Sequence, residues 1–109
     1  MQCEEKIKFV NGDDIVITFT VHKNGQLVSL DGSIIKFMLS YYGSDECILV
    51  KNGEPTHNKG EFVITLVPAD TNGYVGNFEY QVEITDITGK KSTPVCKQLA
   101  LFKRIVENL

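Results

Sequence analysis

Acid–base or metal chemistry in this chain would rest first on its two histidines, His22 and His57. A nucleophile needs an adjacent base and a third group to orient that base. His22 ends an alternating run, on the face opposite Phe19 and Val21, and reads as a rim residue. His57 sits in the polar stretch Asn52–Gly60, NGEPTHNKG, beside Glu54 and Thr56. A metal there would need three or four ligands, and the stretch offers about two. Glu79 and Glu83 share one strand face, but about 13–14 Å apart along it, too far for a concerted acid–base pair. Asp13-Asp14, Asp45-Glu46 and Asp86 fall at turns, and their spacing matches no calcium loop. The chain lacks G-x-G-x-x-G, a Walker loop, H-E-x-x-H and G-x-S-x-G, the short motifs of common enzyme classes. The residues therefore predict a non-catalytic protein with no cofactor and no metal.

The elements that carry these residues are strands. Successive side chains on a strand point to opposite faces. Ile15, Ile17, Phe19 and Val21 thus share a face, as do Ile35, Phe37 and Leu39. The pattern predicts strands over Asp14–His22, Gln26–Leu30, Ser33–Tyr42, Ser44–Lys51, Glu61–Val67, Gly76–Thr85 and Ser92–Phe102. Lys6–Val10 reads as an edge strand within an N-terminal arm, residues 1–11. Ile48 and Val50 are expected on one face; so are Phe62, Ile64 and Leu66, and so are Phe78, Tyr80, Val82 and Ile84. Asn24-Gly25 predicts a tight hairpin, because both central residues of that turn need positive φ. The Asn52–Gly60 stretch is expected to be a loop, and Pro68–Gly73 a turn with one helical turn. Turn signals at this spacing point to two packed antiparallel sheets of about seven strands.

At 109 residues the chain fits one domain, which buries roughly 65% of its unfolded surface. Its net charge of −3 argues against nucleic-acid binding by phosphate neutralisation. No apolar run approaches the roughly 20 residues that span a bilayer. The N-terminus, MQCEEKIKFV, does not read as a signal peptide. Cys3, Cys47 and Cys96 make an odd count without a C-x-x-C pair. All three are expected to be reduced, with no inter-sheet disulfide and with assembly in a cytosol.

Apolar residues on the second faces of strands need an explanation. Ile34, Met38 and Tyr42 lie opposite Ile35, Phe37, Leu39 and Tyr41; near the C-terminus Val95, Leu99 and Leu101 alternate with Cys96, Ala100 and Phe102. Both faces cannot enter one two-layer core. Ile34, Met38, Tyr41, Tyr42, Ala100 and Phe102 are the candidate partner contacts. Coverage of the edge by the N-terminal arm, or a bulge that switches faces, would be the alternative. Residues 103–109 lose alternation and read as a C-terminal extension.

Tyr74, just before the strand Gly76–Thr85, resembles the corner tyrosine of immunoglobulin-type sandwiches. The spacing differs, and the chain has no Trp, which argues against an antibody-type domain. The order of motifs is more telling: GDDIVITFTV from Gly12, NGQLVSLDG from Asn24, SIIKFML from Ser33, GEFVITL from Gly60, PADT from Pro68 and GNFEYQVEI from Gly76. Over residues 12–102 this resembles the immunoglobulin-like domain of tailed-bacteriophage structural proteins. It is similar in particular to the N-terminal domain of baseplate upper proteins and to small neck or tail proteins. The resemblance implies an immunoglobulin-like β-sandwich without catalytic residues. It implies a structural or adaptor component of the tail, neck or baseplate, present in several copies beside other virion proteins and assembled in a host cytoplasm. The alternative is a module binding carbohydrate or a host surface through Tyr41-Tyr42-Gly43 and Asn52–Gly60.

Overall fold

In a computed structural model of the chain, the described residues are 1–10, 14–71 and 78–96. Their order is β1 (Gln2–Val10), β2 (Asp14–Lys23), β3 (Gln26–Leu27), β4 (Ile34–Tyr41), β5 (Cys47–Asn52), β6 (Glu54–Pro55), β7 (Glu61–Leu66), helical turn α1 (Pro68–Thr71), β8 (Phe78–Thr85), β9 (Lys91–Ser92) and β10 (Val95–Cys96). The strands form two sheets. One runs β10-β1-β2-β7-β6, with β3 also paired to β2; the other runs β5-β4-β8-β9. All pairings are antiparallel except β1 with β10.

Period-two alternation supplies the core. Ile15, Ile17, Phe19 and Val21 from β2 and Phe62, Ile64 and Leu66 from β7 are buried on one side. Ile35, Phe37 and Leu39 from β4 and Phe78, Val82 and Ile84 from β8 meet them from the other. An aromatic cluster joins the layers. Phe19 stacks on Phe62 at 4.9 Å between ring centroids, Phe37 on Tyr80 at 5.3 Å, and Tyr80 meets Phe19 edge-on at 6.0 Å. Such offset and edge contacts add about 0.5–1.5 kcal/mol per pair beyond area burial. The Asn24-Gly25 turn has both residues at positive φ, 53° and 78°, as a primed hairpin requires.

The chain changes sheets on both flanks. On one, β5 ends, Gly53 donates its N–H to the Ile35 carbonyl at 2.8 Å, and β6 joins the opposite sheet. On the other, β9 pairs with β8, and β10 joins β1 after the buried Pro94. The second crossing puts β9 and β10 where the single strand Ser92–Phe102 was expected, so the described residues contain more strand segments than the seven anticipated. The first places a short strand inside Asn52–Gly60, which reads from sequence as all loop. Gln26–Leu30 contributes only the two residues of β3.

Three further expectations are corrected. The strand expected over Lys6–Val10 starts earlier, at Gln2, and pairs with β2 along its whole length, with β10 beside it at Gln2 and Cys3. Second, Ile48 and Val50 do not share an environment. The β4–β5 register runs Leu39↔Leu49 and then Ser40↔Cys47, so Ile48 is an extra bulged residue. A bulge reaims the side chain beside it, and Ile48 and Leu49 both pack against the core while Val50 is exposed. Third, Cys3 is not reduced: it is buried and disulfide-bonded. The parallel β1–β10 register sets Cys96 opposite it within one sheet, a proximity that sequence spacing does not reveal. Cys47 carries an exposed free thiol. Tyr74, Asp13, Ala100, Phe102 and the extension 103–109 lie outside the described residues.

Candidate functional site

The expected contact residues occupy three different settings. Ile34 is 60% exposed at the start of β4, on the outer face of the four-stranded sheet. Met38 is half-buried on the same face. Its cross-strand neighbour is Val50, 53% exposed, which sequence reasoning had assigned beside Ile48. The face also carries Lys36, between Ile34 and Met38 and opposite Glu83, and Met38 lies opposite Gln81, so its apolar residues are interspersed with polar ones. Tyr41, in phase with the inner residues of β4, stacks its ring on Phe78 at 5.0 Å and remains 39% exposed. Tyr42 is exposed in the following turn.

The strand register separates the two loops of the carbohydrate-binding alternative. Ile34 begins β4 opposite Thr85, and Tyr41 ends it opposite Phe78. Tyr42 and Gly43 therefore project from one end of the sandwich. The β6–β7 connection lies at the other end, where Val21 donates to the Gly60 carbonyl at 2.8 Å. The two loops do not converge on one site.

At that second end a cleft of about 370 Å³ opens between the β3–β4 and β6–β7 connections. Ser29 and Asp31 line one wall, and Thr56, His57, Asn58 and Glu61 the other. The Glu61 carboxylate accepts from Thr56 Oγ1 at 2.8 Å and from Asn58 Nδ2 at 3.1 Å, both at Oε1. These hydrogen bonds, that from Thr56 first, hold the Glu61 carboxyl below the usual carboxylate range. Gly60 has φ +76° here, and a Cβ on it would come within 2.9 Å of the Val21 carbonyl oxygen. The turn therefore needs glycine for conformation and for space.

Several other polar groups have structural partners. Glu5 is buried on β1, and the Tyr80 hydroxyl on the opposite sheet donates to it. Burial, and then the Glu5 carboxylate, push the Tyr80 phenol far above its ordinary value. Asp86 Oδ1 accepts from Thr88 N, Thr88 Oγ1 and Lys90 N, which closes the β8–β9 hairpin and lowers its own carboxyl, Thr88 contributing most. Lys51 on β5 pairs with Asp70 of α1 at 3.2 Å and bridges the flank between the sheets. Glu83, on the outer face, has Lys91 at 4.0 Å. A hollow of about 230 Å³ brings Asp45 and Glu79 beside Ser40 and Ser44. His22 is half-buried on β2 and His57 exposed in its loop. Among the described residues, no three His, Cys, Asp or Glu side chains group as a metal site.

Sequence reasoning missed the Glu5–Tyr80 pair, Val50 and the cleft. The one available signal was Glu5 itself, an acidic residue in phase with Cys3 and Ile7. Comparison with family models, curated proteins and solved structures gives no match to this chain.

Proposed function

We propose that the chain is an immunoglobulin-like sandwich serving as a non-catalytic structural adaptor of a tailed-phage particle, in the tail, neck or baseplate. The pairing order supports the immunoglobulin-like part of this reading, and the motif resemblance carries the tailed-phage part. One sheet contains β1-β2-β7-β6 and the other β5-β4-β8-β9. In chain order these correspond to strands A-B-E-D and C′-C-F-G of an immunoglobulin sandwich. Of those strands, β2, β4, β7 and β8 carry the motifs of the resemblance. On the outer face, exposed Ile34 and the Met38–Val50 pair supply apolar contacts for a neighbouring virion protein.

A carbohydrate- or host-surface-binding module is the competing reading. It has less support, because Tyr42 and the β6–β7 loop lie at opposite ends. Copies carrying Ile34→Lys and Val50→Lys test the adaptor reading. Both positions are exposed, so the melting temperature should stay near the parent's. Incorporation into particles should fall by about tenfold or more, in line with a lost apolar contact and newly buried charge. Undiminished incorporation of the double variant would count against this face as the assembly contact.

A further inference from the structure

We propose that Cys3 is bonded to Cys96 and that this bond is a redox latch. Closed, it holds β10 on the edge of β1; open, it frees β10 while the two-sheet core stays folded. The proposal does not rest on the adaptor reading.

The pairing follows from the cysteine count and the register. The chain has three cysteines. Cys3 is disulfide-bonded, and Cys47 carries a free thiol on β5 of the other sheet. Cys96 remains, and it is the Cα partner of Cys3 in the parallel β1–β10 ladder. Neighbouring strands lie about 4.7–4.9 Å apart, within the roughly 4.4–6.8 Å between Cα atoms that a disulfide spans.

The latch character comes from how unequally the two strands are held. β1 pairs with β2 along its whole length, Gln2 to Val10. Among the described residues β10 pairs with β1 only at Gln2 and Cys3. Pro94, just before it, has no N–H to add to the ladder, and β9 meets β8 at only Ile84 and Thr85. So short a ladder gains too little to offset the entropy of ordering its residues, and segments with few pairings are those that open locally. The disulfide supplies what the ladder lacks. The core does not depend on it, because most of its buried apolar side chains come from β2, β4, β7 and β8.

Closure is thiol–disulfide exchange with a small-molecule disulfide such as oxidised glutathione. One cysteine thiolate attacks it, forming a mixed disulfide and releasing one glutathione thiolate. The other cysteine thiolate attacks the protein sulfur of that mixed disulfide, forming the Cys3–Cys96 bond and releasing the second. The two glutathiones leave as thiols with the two cysteine protons, and two electrons pass from the cysteines to the oxidant. Two reduced glutathiones reverse the sequence. Cys3 is 4% exposed, so its sulfur is shielded from small thiols while β10 is seated. A chain made in a reducing cytosol carries the latch open, and passage to an oxidising medium closes it.

The test begins with the parent chain. After non-reducing digestion, mass spectrometry should find the peptides of Cys3 and Cys96 linked. The full chain carrying Cys47→Ser, which removes the exposed competing thiol, is then taken from oxidised to reduced in glutathione buffers while backbone chemical shifts are followed. On reduction the signals of Val95 and Cys96 should move to random-coil positions, and those of β2, β4, β7 and β8 should hold theirs. Oxidised glutathione should restore the starting spectrum. In denaturant melts the folded-to-unfolded ratio should fall about 30-fold or more on reduction. Cys96→Ser should match the reduced chain and ignore the buffer; because reduction acts on a chain already folded, the test stands even where that variant fails to fold. Cys3 linked to Cys47 or to a second copy, β10 signals unmoved on reduction, collapse of the core signals, or a stable glutathione adduct in place of reclosure would each overturn the proposal.

Discussion

At the scale of single residues, the pair of Glu5 and Tyr80 is the strongest departure from a purely apolar core. A carboxylate on β1 reaches the phenol of β8 across the two layers. Buried polar groups persist when they are hydrogen-bonded, and removing a donor leaves the acceptor undersupplied. Tyr80→Phe should therefore destabilise the fold by about 1–3 kcal/mol, seen as a lower denaturant midpoint with an unchanged slope. The same contact fixes the alkaline response. The Tyr80 pKa is raised in the folded state, so between its unfolded value near 10 and the folded value the unfolded chain has lost a proton that the folded one keeps. Stability is full below about pH 10 and declines as pH rises above it. In Tyr80→Phe this part of the decline should vanish; a parallel decline in both proteins would contradict the assignment.

At the scale of elements, alternation made the inner faces of β2, β4, β7 and β8 legible, because burial on one face imposes period two directly on sequence. Asn24-Gly25 was legible for an equally local reason. What escaped depends on neighbours distant in sequence. The bulge at Ile48 is visible only once β5 is aligned with β4. The sheet change at Gly53 depends on how closely Ile35 and Phe62 approach the backbone. A Cβ at residue 53 would lie 2.6 Å from Ile35 Cγ2 and 3.0 Å from Phe62 Cδ2. Gly53→Ala should cost about 1–3 kcal/mol by overpacking, measured as a drop of several degrees in melting temperature; an unchanged melting temperature would show that the crossing relaxes freely. Cys3 is the other long-range case. Its disulfide constrains the unfolded chain, so Cys3→Ser should lower stability by about 2–4 kcal/mol, and reductant should lower the parent toward the variant. With Cys3 bonded, the argument from reduced thiols to a cytosol loses its footing.

At the scale of the whole molecule, two sheets exchange strands at both flanks, and apolar surface remains on an outer face and at one loop end. The expected contacts fared unevenly: Ile34 and Tyr42 are exposed, Met38 is half-buried, Tyr41 stacks on Phe78 while remaining 39% exposed, and Ala100 and Phe102 fall outside the described residues. Sequence could mark which residues were surplus to a two-layer core. It could not place Val50 beside Met38, because that neighbour is set by the β4–β5 register. Nor could it assemble the cleft, whose walls belong to connections that meet only in the folded chain. The adaptor account makes a direct claim about where the protein resides. Quantitative mass spectrometry of tailed particles purified from cells producing the chain tests it. The account predicts a fixed number of copies per particle, constant across preparations and retained through high-salt washing. A chain found only as a soluble monomer and absent from every particle would contradict it.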